Sequence, residues 1–112
     1  MTGQMRRHVD VRIEPLEAYD LEADEIIEGT PTTAEVFVMT IGDVQVGIWE
    51  ITPGTVRDVE KDEVFVVLEG EGTIRFAGGD VVEIGPGSLV RLNAGEVTEW
   101  EIRKTLRKVY VI

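Results

Sequence analysis

The chain has 112 residues, of which 43% are apolar, and a formal net charge of −11. This length and composition indicate one globular domain with its own core, and the charge argues against nucleic acid as a partner. The chain has no cysteine and one histidine, which excludes disulfides, thiolate metal sites and cysteine nucleophiles.

No apolar run approaches the roughly 20 residues that a transmembrane helix needs. Two arginines, Arg6 and Arg7, stand near the start, but the apolar segment of a secretory signal does not follow them. We therefore expect a cytoplasmic protein that does not bind membranes.

Residues 1–33 are polar and irregular, and we interpret them as an N-terminal arm. Within it, residues 8–14 (HVDVRIE) alternate apolar and polar side chains, which predicts one short strand. The segment EAYDLEADEII (17–27), with Pro15 as a start signal, has weak helical signals that predict a turn or two at most. The acidic run at residues 20–28 is expected on the surface, and Pro31 ends any helix before the next element.

Residues 34–112 contain strand patterns at short intervals. The segments are EVFVMTI (35–41), VQVGIWEI (44–51), EVFVVLEG (63–70), GTIRF (72–76), DVVEI (80–84), SLVRL (88–92), VTEWEI (97–102) and LRKVYVI (106–112). Glycine-rich turns separate them, including one predicted at residues 70–72. Many short strands with such turns predict an all-β sandwich or barrel.

Two spacings point to a particular barrel. Six residues lie between Glu63 and Gly70, five between Gly87 and the segment 93–95, and two between that segment and Thr98. This combination resembles the two motifs of the cupin superfamily. The resemblance implies a single-domain cupin jelly-roll β-barrel spanning residues 34–112.

A narrower resemblance covers residues 45–112. Trp49 with Glu50, the strand at residues 63–70, Trp100 and the ending LRKVY are similar to the ureidoglycine-aminohydrolase-type cupin family. That family is itself similar to the cupin part of an ethanolamine-utilisation protein. The resemblance implies, as one alternative, an enzyme that acts on a small nitrogenous metabolite.

The metal ligands of the cupin motifs are missing. The positions of the His-x-His pair fall on Arg57 and Val59, or on Val56 and Asp58, and the third histidine position is Thr98. The sole histidine, His8, lies in the arm and is expected to be exposed. Since a first-row metal needs three or four converging nitrogen, sulfur or carboxylate ligands, we expect no metal and no cofactor.

The candidate pocket begins with Glu63, at the head of an apolar strand. A carboxylate there needs a partner or a ligand, and Arg57 or a backbone amide could supply one. Thr98 and Trp100 share one strand face, which the resemblance places inside the barrel. A carboxylate, a hydroxyl and an indole among apolar walls are typical of a small-molecule pocket, although plain barrel packing explains Thr98 and Trp100 equally well.

Three further residues belong to the candidate ligand-binding set. Trp49 either lines the pocket or packs in the core, and we favour the core. Tyr110 is expected in the core with its hydroxyl hydrogen-bonded. Lys108 shares an apolar face with Leu106 and Tyr110, so it either pairs with a carboxylate such as Glu63 or extends its ammonium to solvent, which we favour.

Two functions remain open at this point. The favoured one is a metal-independent module that binds a small molecule in the barrel. The alternative is an aminohydrolase-like enzyme with Glu63 as its general base or residual metal ligand. Because a jelly roll leaves sheet edges to be covered, we expect the arm to add to an edge and the protein to form a homodimer.

Overall fold

The structure is a computed structural model and describes residues 6–112, so the first five residues of the predicted arm lie outside it. Within residues 6–112, nine strands form one curled sheet: β1 Glu17–Tyr19, β2 Ile26–Glu28, β3 Thr33–Ile41, β4 Val44–Ile51, β5 Gly54–Val59, β6 Glu63–Phe76, β7 Val81–Ile84, β8 Leu89–Leu92 and β9 Val97–Val111. A single 3₁₀ turn, Ala23–Glu25, precedes β2. The predicted all-β jelly-roll class is confirmed.

The strand order explains how the sheet closes around a core. β9 lies at the centre and pairs with β4, β5 and β6, all antiparallel. β3 continues the sheet beyond β4, while β7 and β8 pair with the two halves of β6. Each long strand can take different neighbours along its length because it bends. Among the described residues, no helix is long and apolar enough to cross a membrane.

The predicted turn at residues 70–72 is wrong. β6 runs from Glu63 to Phe76 without a break, and its register against β9 shifts three times between Val67 and Gly72. Gly70 has a φ of +103°, and a Cβ on it would lie 2.4 Å from the Cα of Leu106. The glycine therefore permits a bend and a close strand contact. The segments at 97–102 and 106–112 likewise form one strand, β9.

Strand β5 was not predicted. Its first half is buried, but Arg57, Asp58 and Val59 at its end are exposed, so the sequence there lacks a sustained alternation. β5 is held instead by its neighbours, because β9 pairs with one edge and β2 with the other. Tertiary pairing thus sets the strand where the local pattern is weak.

The predicted strand at residues 8–14 is also wrong. The backbone turns there, since the amides of Ile13 and Glu14 both donate to the carbonyl of Asp10, and the Ile13 side chain is 75% exposed. The arm residues that do extend the sheet are those of β1, which pairs with the start of β3, and those of β2, which pairs with β5. Part of the predicted arm therefore covers an edge of its own barrel.

The core fills the inside of the curl. Phe65, Ile74 and Leu92 are at most 1% exposed and pack in one cluster with Trp100 and Leu106. The alternation along β6 and β9 directs these side chains inward. The same alternation brings charged residues of these strands to the inside, where the candidate site lies.

Candidate functional site

A cavity of about 270 Å³ lies against the inner face of the sheet. Aromatic side chains form much of its wall, namely Tyr19, Phe37, Trp49, Trp100 and Tyr110. Its charged lining comprises Glu25, Glu35, Arg57, Asp58, Glu60, Lys61, Glu63 and Lys108. Apolar walls with a few convergent polar groups are the usual composition of a small-molecule site.

An ion pair lies within this cavity. The Nζ of Lys108 is 2.7 Å from Oε2 of Glu63, and the two side chains are only 8% and 10% exposed. The ammonium also lies 4.3 Å from the ring centroid of Phe65, 4.7 Å from Trp49 and 4.9 Å from Trp100. The expectation that Lys108 reaches solvent is therefore wrong.

The physical reason is the register of β9. Lys108 is paired with Trp49 of β4 on one side and with Val67 of β6 on the other. The side chain consequently points into the curl, where the carboxylate and the electron-rich ring faces replace water around the ammonium. The partner of the Glu63 carboxylate is the Lys108 ammonium, not Arg57.

Glu60, which the sequence analysis did not single out, forms a second buried polar group. It lies between β5 and β6 and is only 6% exposed. Its Oε2 accepts hydrogen bonds from the Thr98 hydroxyl, at 2.6 Å, and from the Trp100 indole, at 3.1 Å. Glu60 was hard to recognise from the sequence because it lies in a run of charged residues. The one signal was Thr98, because a hydroxyl placed inside the barrel needs a hydrogen-bond partner there.

Burial sets the electrostatics of this end of the cavity. Desolvation raises the pKa of Glu60; the hydrogen bond from Thr98 opposes the rise, and the nearby carboxylate of Asp58 adds to it. The pKa of Asp58 is raised mainly by the same loss of water. Both carboxyl groups therefore bind a proton more readily than a carboxyl group in water does.

Two hydrogen bonds order the aromatic wall. The hydroxyl of Tyr110 donates to Oε2 of Glu35 over 2.8 Å, and burial together with that carboxylate raises the pKa of Tyr110 far above its ordinary value. The indole of Trp49 donates to the hydroxyl of Tyr19 over 2.7 Å. The expectation for Tyr110, a buried ring with a bonded hydroxyl, is confirmed, and Trp49 lies half-buried at the cavity instead of only in the core.

Six of the seven predicted ligand-binding residues line this one cavity: Arg57, Glu63, Trp49, Trp100, Lys108 and Tyr110. The seventh, Thr98, is 2% exposed and reaches the cavity only through its bond to Glu60. Sequence reasoning missed Glu35, Glu60 and Tyr19. As contacts to a ligand, all of these residues remain predictions.

The donor set does not suit the metal that the cupin resemblance implies. Within residues 6–112, no three His, Cys, Asp or Glu side chains come together in a group that could hold a metal ion. Glu63, at the family's carboxylate position, has the Lys108 ammonium 2.7 Å away, and a divalent cation there would be repelled by that charge. His8 is exposed on the arm.

Comparisons with known proteins agree with this architecture. Residues 38–110 match the family described as the EutQ-like cupin domain. A protein of unknown function from Rhizobium leguminosarum is 26% identical, with 70% of this chain and 78% of that chain covered and a TM-score of 0.65. No protein of curated function matches the chain.

The chain is also similar to the solved structures of two further proteins. Ectoine synthase from P. lautus is 26% identical over 79% of this chain and 67% of that one, with a TM-score of 0.60. The EutQ protein of Clostridium difficile is 20% identical over 80% and 75%, with a TM-score of 0.63, and at that identity it shows the fold alone.

Proposed function

Since the chain belongs to the EutQ-like cupin domain family, we propose that it binds a small polar metabolite inside its barrel without a metal. The observation that carries the proposal is the convergence of Trp49, Trp100, Tyr110 and the Glu63–Lys108 pair on one cavity of about 270 Å³. This volume is just below the roughly 300–1,000 Å³ of typical ligand sites, so it favours a metabolite over a nucleotide-sized ligand.

The polar groups of the cavity are already ordered, which favours binding. Glu63 is held by Lys108, Glu35 by Tyr110 and Glu60 by Thr98. A ligand that enters such a site does not have to immobilise these side chains itself, so less of its binding free energy is lost to ordering. The rings of Trp49 and Trp100 supply apolar contact beside the polar groups.

Tryptophan fluorescence tests the proposal directly, because the chain has two tryptophans and both line the cavity. We expect at least one compound from a panel of small amines, amides, ureas and hydroxy acids to change the emission saturably. Trp100→Phe should remove most of that change. A panel that leaves both the emission and the thermal stability unchanged would contradict the proposal.

Metal content is a separate prediction. Because Lys108 neutralises Glu63 and the chain has one histidine and no cysteine, we expect protein purified without chelators to contain far less than one equivalent of manganese, iron, zinc or nickel. Elemental analysis measures this. Near-stoichiometric metal that is lost in Glu63→Ala would overturn metal independence.

One observation keeps an enzyme as the alternative. Glu63 and Lys108 form a carboxylate–ammonium pair 2.7 Å apart beside open volume, and such a pair can accept and return a proton. In this alternative Glu63 is the general base, or the residual ligand of a metal, in an aminohydrolase-like reaction on a small nitrogenous compound. The narrower resemblance to the ureidoglycine-aminohydrolase-type family belongs to this alternative. Turnover by the metal-free protein, lost in Glu63→Gln, would favour it.

A further inference from the structure

The fixed charges inside the cavity do not balance. Five carboxylates line it, those of Glu25, Glu35, Asp58, Glu60 and Glu63, against three cations, the exposed Arg57 and Lys61 and the buried Lys108. Lys108 bonds to Glu63, while Glu35 and Glu60 receive only uncharged donors, a phenol in one case and a hydroxyl and an indole in the other. The cavity therefore retains negative charge after its internal ion pair is counted.

Glu60 is the clearest case of an uncompensated group. Both of its side-chain hydrogen bonds go to Oε2, so Oε1 accepts none from residues 6–112. The Glu60 residue is only 6% exposed, and it lines the cavity. A buried carboxylate without a cation loses much of its hydration and gains little in return.

Asp58 lies beside Glu60 and strengthens the negative potential. It is on the same face of β5 as Val56, whose side chain is buried toward Trp100 in the paired strand. Asp58 is exposed at the end of β5 and Glu60 is buried, and both line the cavity. Neighbouring carboxylates favour either a shared proton or a bound cation. The arrangement thus offers one place for a positive group.

The same cavity already shows how it stabilises an ammonium. Around the Nζ of Lys108 stand one carboxylate and the rings of Phe65, Trp49 and Trp100, all within 4.9 Å. An incoming cation beside Glu60 would meet a carboxylate whose Oε2 is already held by the Thr98 hydroxyl and the Trp100 indole N–H, with Oε1 left to accept from the cation. Repulsion from Lys108 is limited because Glu63 neutralises that charge.

We infer that the ligand of this cavity carries a cationic nitrogen, as an ammonium, amidinium or guanidinium group, and that Glu60 with Asp58 forms the subsite that binds it. This inference rests on the proposed binding function and names the chemical class of its ligand. Glu60 and Asp58 are assigned as the residues that select cations over neutral or anionic compounds of the same size.

The subsite implies a direction for the pH dependence of binding. Glu60 and Asp58 face each other, Glu25 from the 3₁₀ turn and Lys108 from β9, and Glu35, Arg57, Lys61 and Glu63 line the same cavity. The uncharged donors to Glu60 are Thr98 and Trp100. When the pair holds a proton, its attraction for a cation falls. Affinity for a cation should therefore increase as the pH rises through the raised carboxyl range and then level off.

Three probes of nearly equal size test the inference: n-propylammonium chloride, propionamide and sodium propionate. Binding to the full chain is followed in NMR spectra through the N–H signals of the two tryptophan indoles. We expect n-propylammonium to shift these signals saturably, with an affinity at least about tenfold above that of either other probe. Binding should weaken on acidification as described above.

Two substitutions of the same type locate the effect. Glu60→Gln keeps an oxygen that can accept from Thr98 and Trp100, so the fold should persist, and we expect it to weaken n-propylammonium binding at least about tenfold. Glu69→Gln, at an exposed position of β6 that does not line the cavity, removes the same charge and should leave the affinity within about twofold.

The outcomes separate this inference from the function beneath it. Equal or stronger binding of propionate or propionamide at the indoles, or cation binding that survives Glu60→Gln, overturns the cationic subsite and leaves a small-molecule pocket standing. Indole signals that none of the three probes shifts also overturn the subsite. The binding function itself fails only if the broader fluorescence panel yields nothing.

Discussion

Lys108 and Glu63 form an ion pair inside the barrel, and each side chain is the oppositely charged partner of the other. Their exposed fractions of 8% and 10% leave little water to solvate either group alone. Removing one partner therefore strands a buried charge, whereas removing both leaves none. The pair also orders part of the cavity wall, because the ammonium lies against the rings of Trp49 and Trp100.

A double-mutant cycle measures this dependence. Lys108→Met and Glu63→Gln should each lower the free energy of unfolding by about 3 kcal/mol, and the double variant should cost at least ~1 kcal/mol less than the sum. Urea denaturation gives the values. The matched control is the exposed pair Arg75–Glu101, whose coupling should stay below about 1 kcal/mol; equal coupling in the two pairs would contradict the buried pair's role.

Glu60 makes a second prediction at the residue scale, this time for pH. Because burial raises its pKa in the folded chain, the folded state binds this proton more tightly than the unfolded state does. Stability should therefore fall as the pH rises from about 4 through the raised range. Glu60→Gln removes that loss, so it should raise Tm by a few degrees at pH 7 and change it little near pH 4.

Thermal unfolding at several pH values checks this, with Glu17→Gln as the exposed control. A Glu60→Gln variant that is less stable than the native chain at neutral pH would show that its carboxylate is stabilised by the fold, not strained by burial. That result would also weaken the case for a cation subsite at this residue.

At the scale of elements, the long strands β6 and β9 decide the shape of the barrel. Each changes neighbours along its length, and the three register shifts between Val67 and Gly72 mark where β6 bends. Irregularities of this kind bend a strand, so that its two halves can pair with different neighbours in a curled sheet. Gly70 stands at the bend because its φ of +103° and its contact with Leu106 exclude a side chain.

Gly70→Ala should lower the free energy of unfolding by about 3 kcal/mol or more, because the new Cβ combines an unfavourable φ with overlap of the facing backbone. Chemical denaturation measures the loss. Gly78→Ala is the control, since a Cβ there meets nothing within 4 Å, and its effect should stay within about 0.5 kcal/mol. Similar stabilities for both variants would mean that β6 can bend elsewhere.

At the scale of the whole molecule, the arm lies across its own barrel. The guanidinium of Arg107 donates to the carbonyl oxygens of Val11 and Glu14, and the amide of Arg6 donates to the carbonyl of Val38. The residue Ile48, on the face of β4 opposite the cavity, is fully buried. The arm therefore covers the outer face of β3 and β4.

The outer face formed by β6, β8 and β9 is mainly apolar. Val64 and Val66 of β6 lie beside Val111 and Val109 of β9, and Leu89 of β8 lies beside Val66. These five residues define a valine face, at whose edge Leu89 is 73% exposed. The exposed Arg91 of β8 lies beside Val64 on this face. On a chain with a net charge of −11, a mainly apolar face is where two copies meet with least repulsion, so we propose a homodimer joined through the valine face.

Light scattering at micromolar concentration should give the mass of a dimer. Leu89→Glu places a charge in the interface and should yield a monomer, whereas Val81→Glu, at an exposed position on β7, should not. Deleting residues 1–14 should lower stability but keep the dimer. A monomeric native chain refutes the dimer, and a truncated chain that becomes monomeric would show that the arm joins the copies.

The sequence by itself determined the class of fold and the limits on its chemistry. Alternating segments predicted an all-β fold, because strand periodicity is a local property of the chain. The resemblance of the spacing of Glu63, Gly70 and Thr98 to the cupin motifs implied the jelly roll. The count of one histidine and no cysteine narrowed the possible metal sites without any coordinates. Tertiary structure alone decided that Lys108 points inward, that Glu60 is buried and that Gly70 bends a strand. Each of these depends on the register between strands far apart in the chain, which no local pattern specifies.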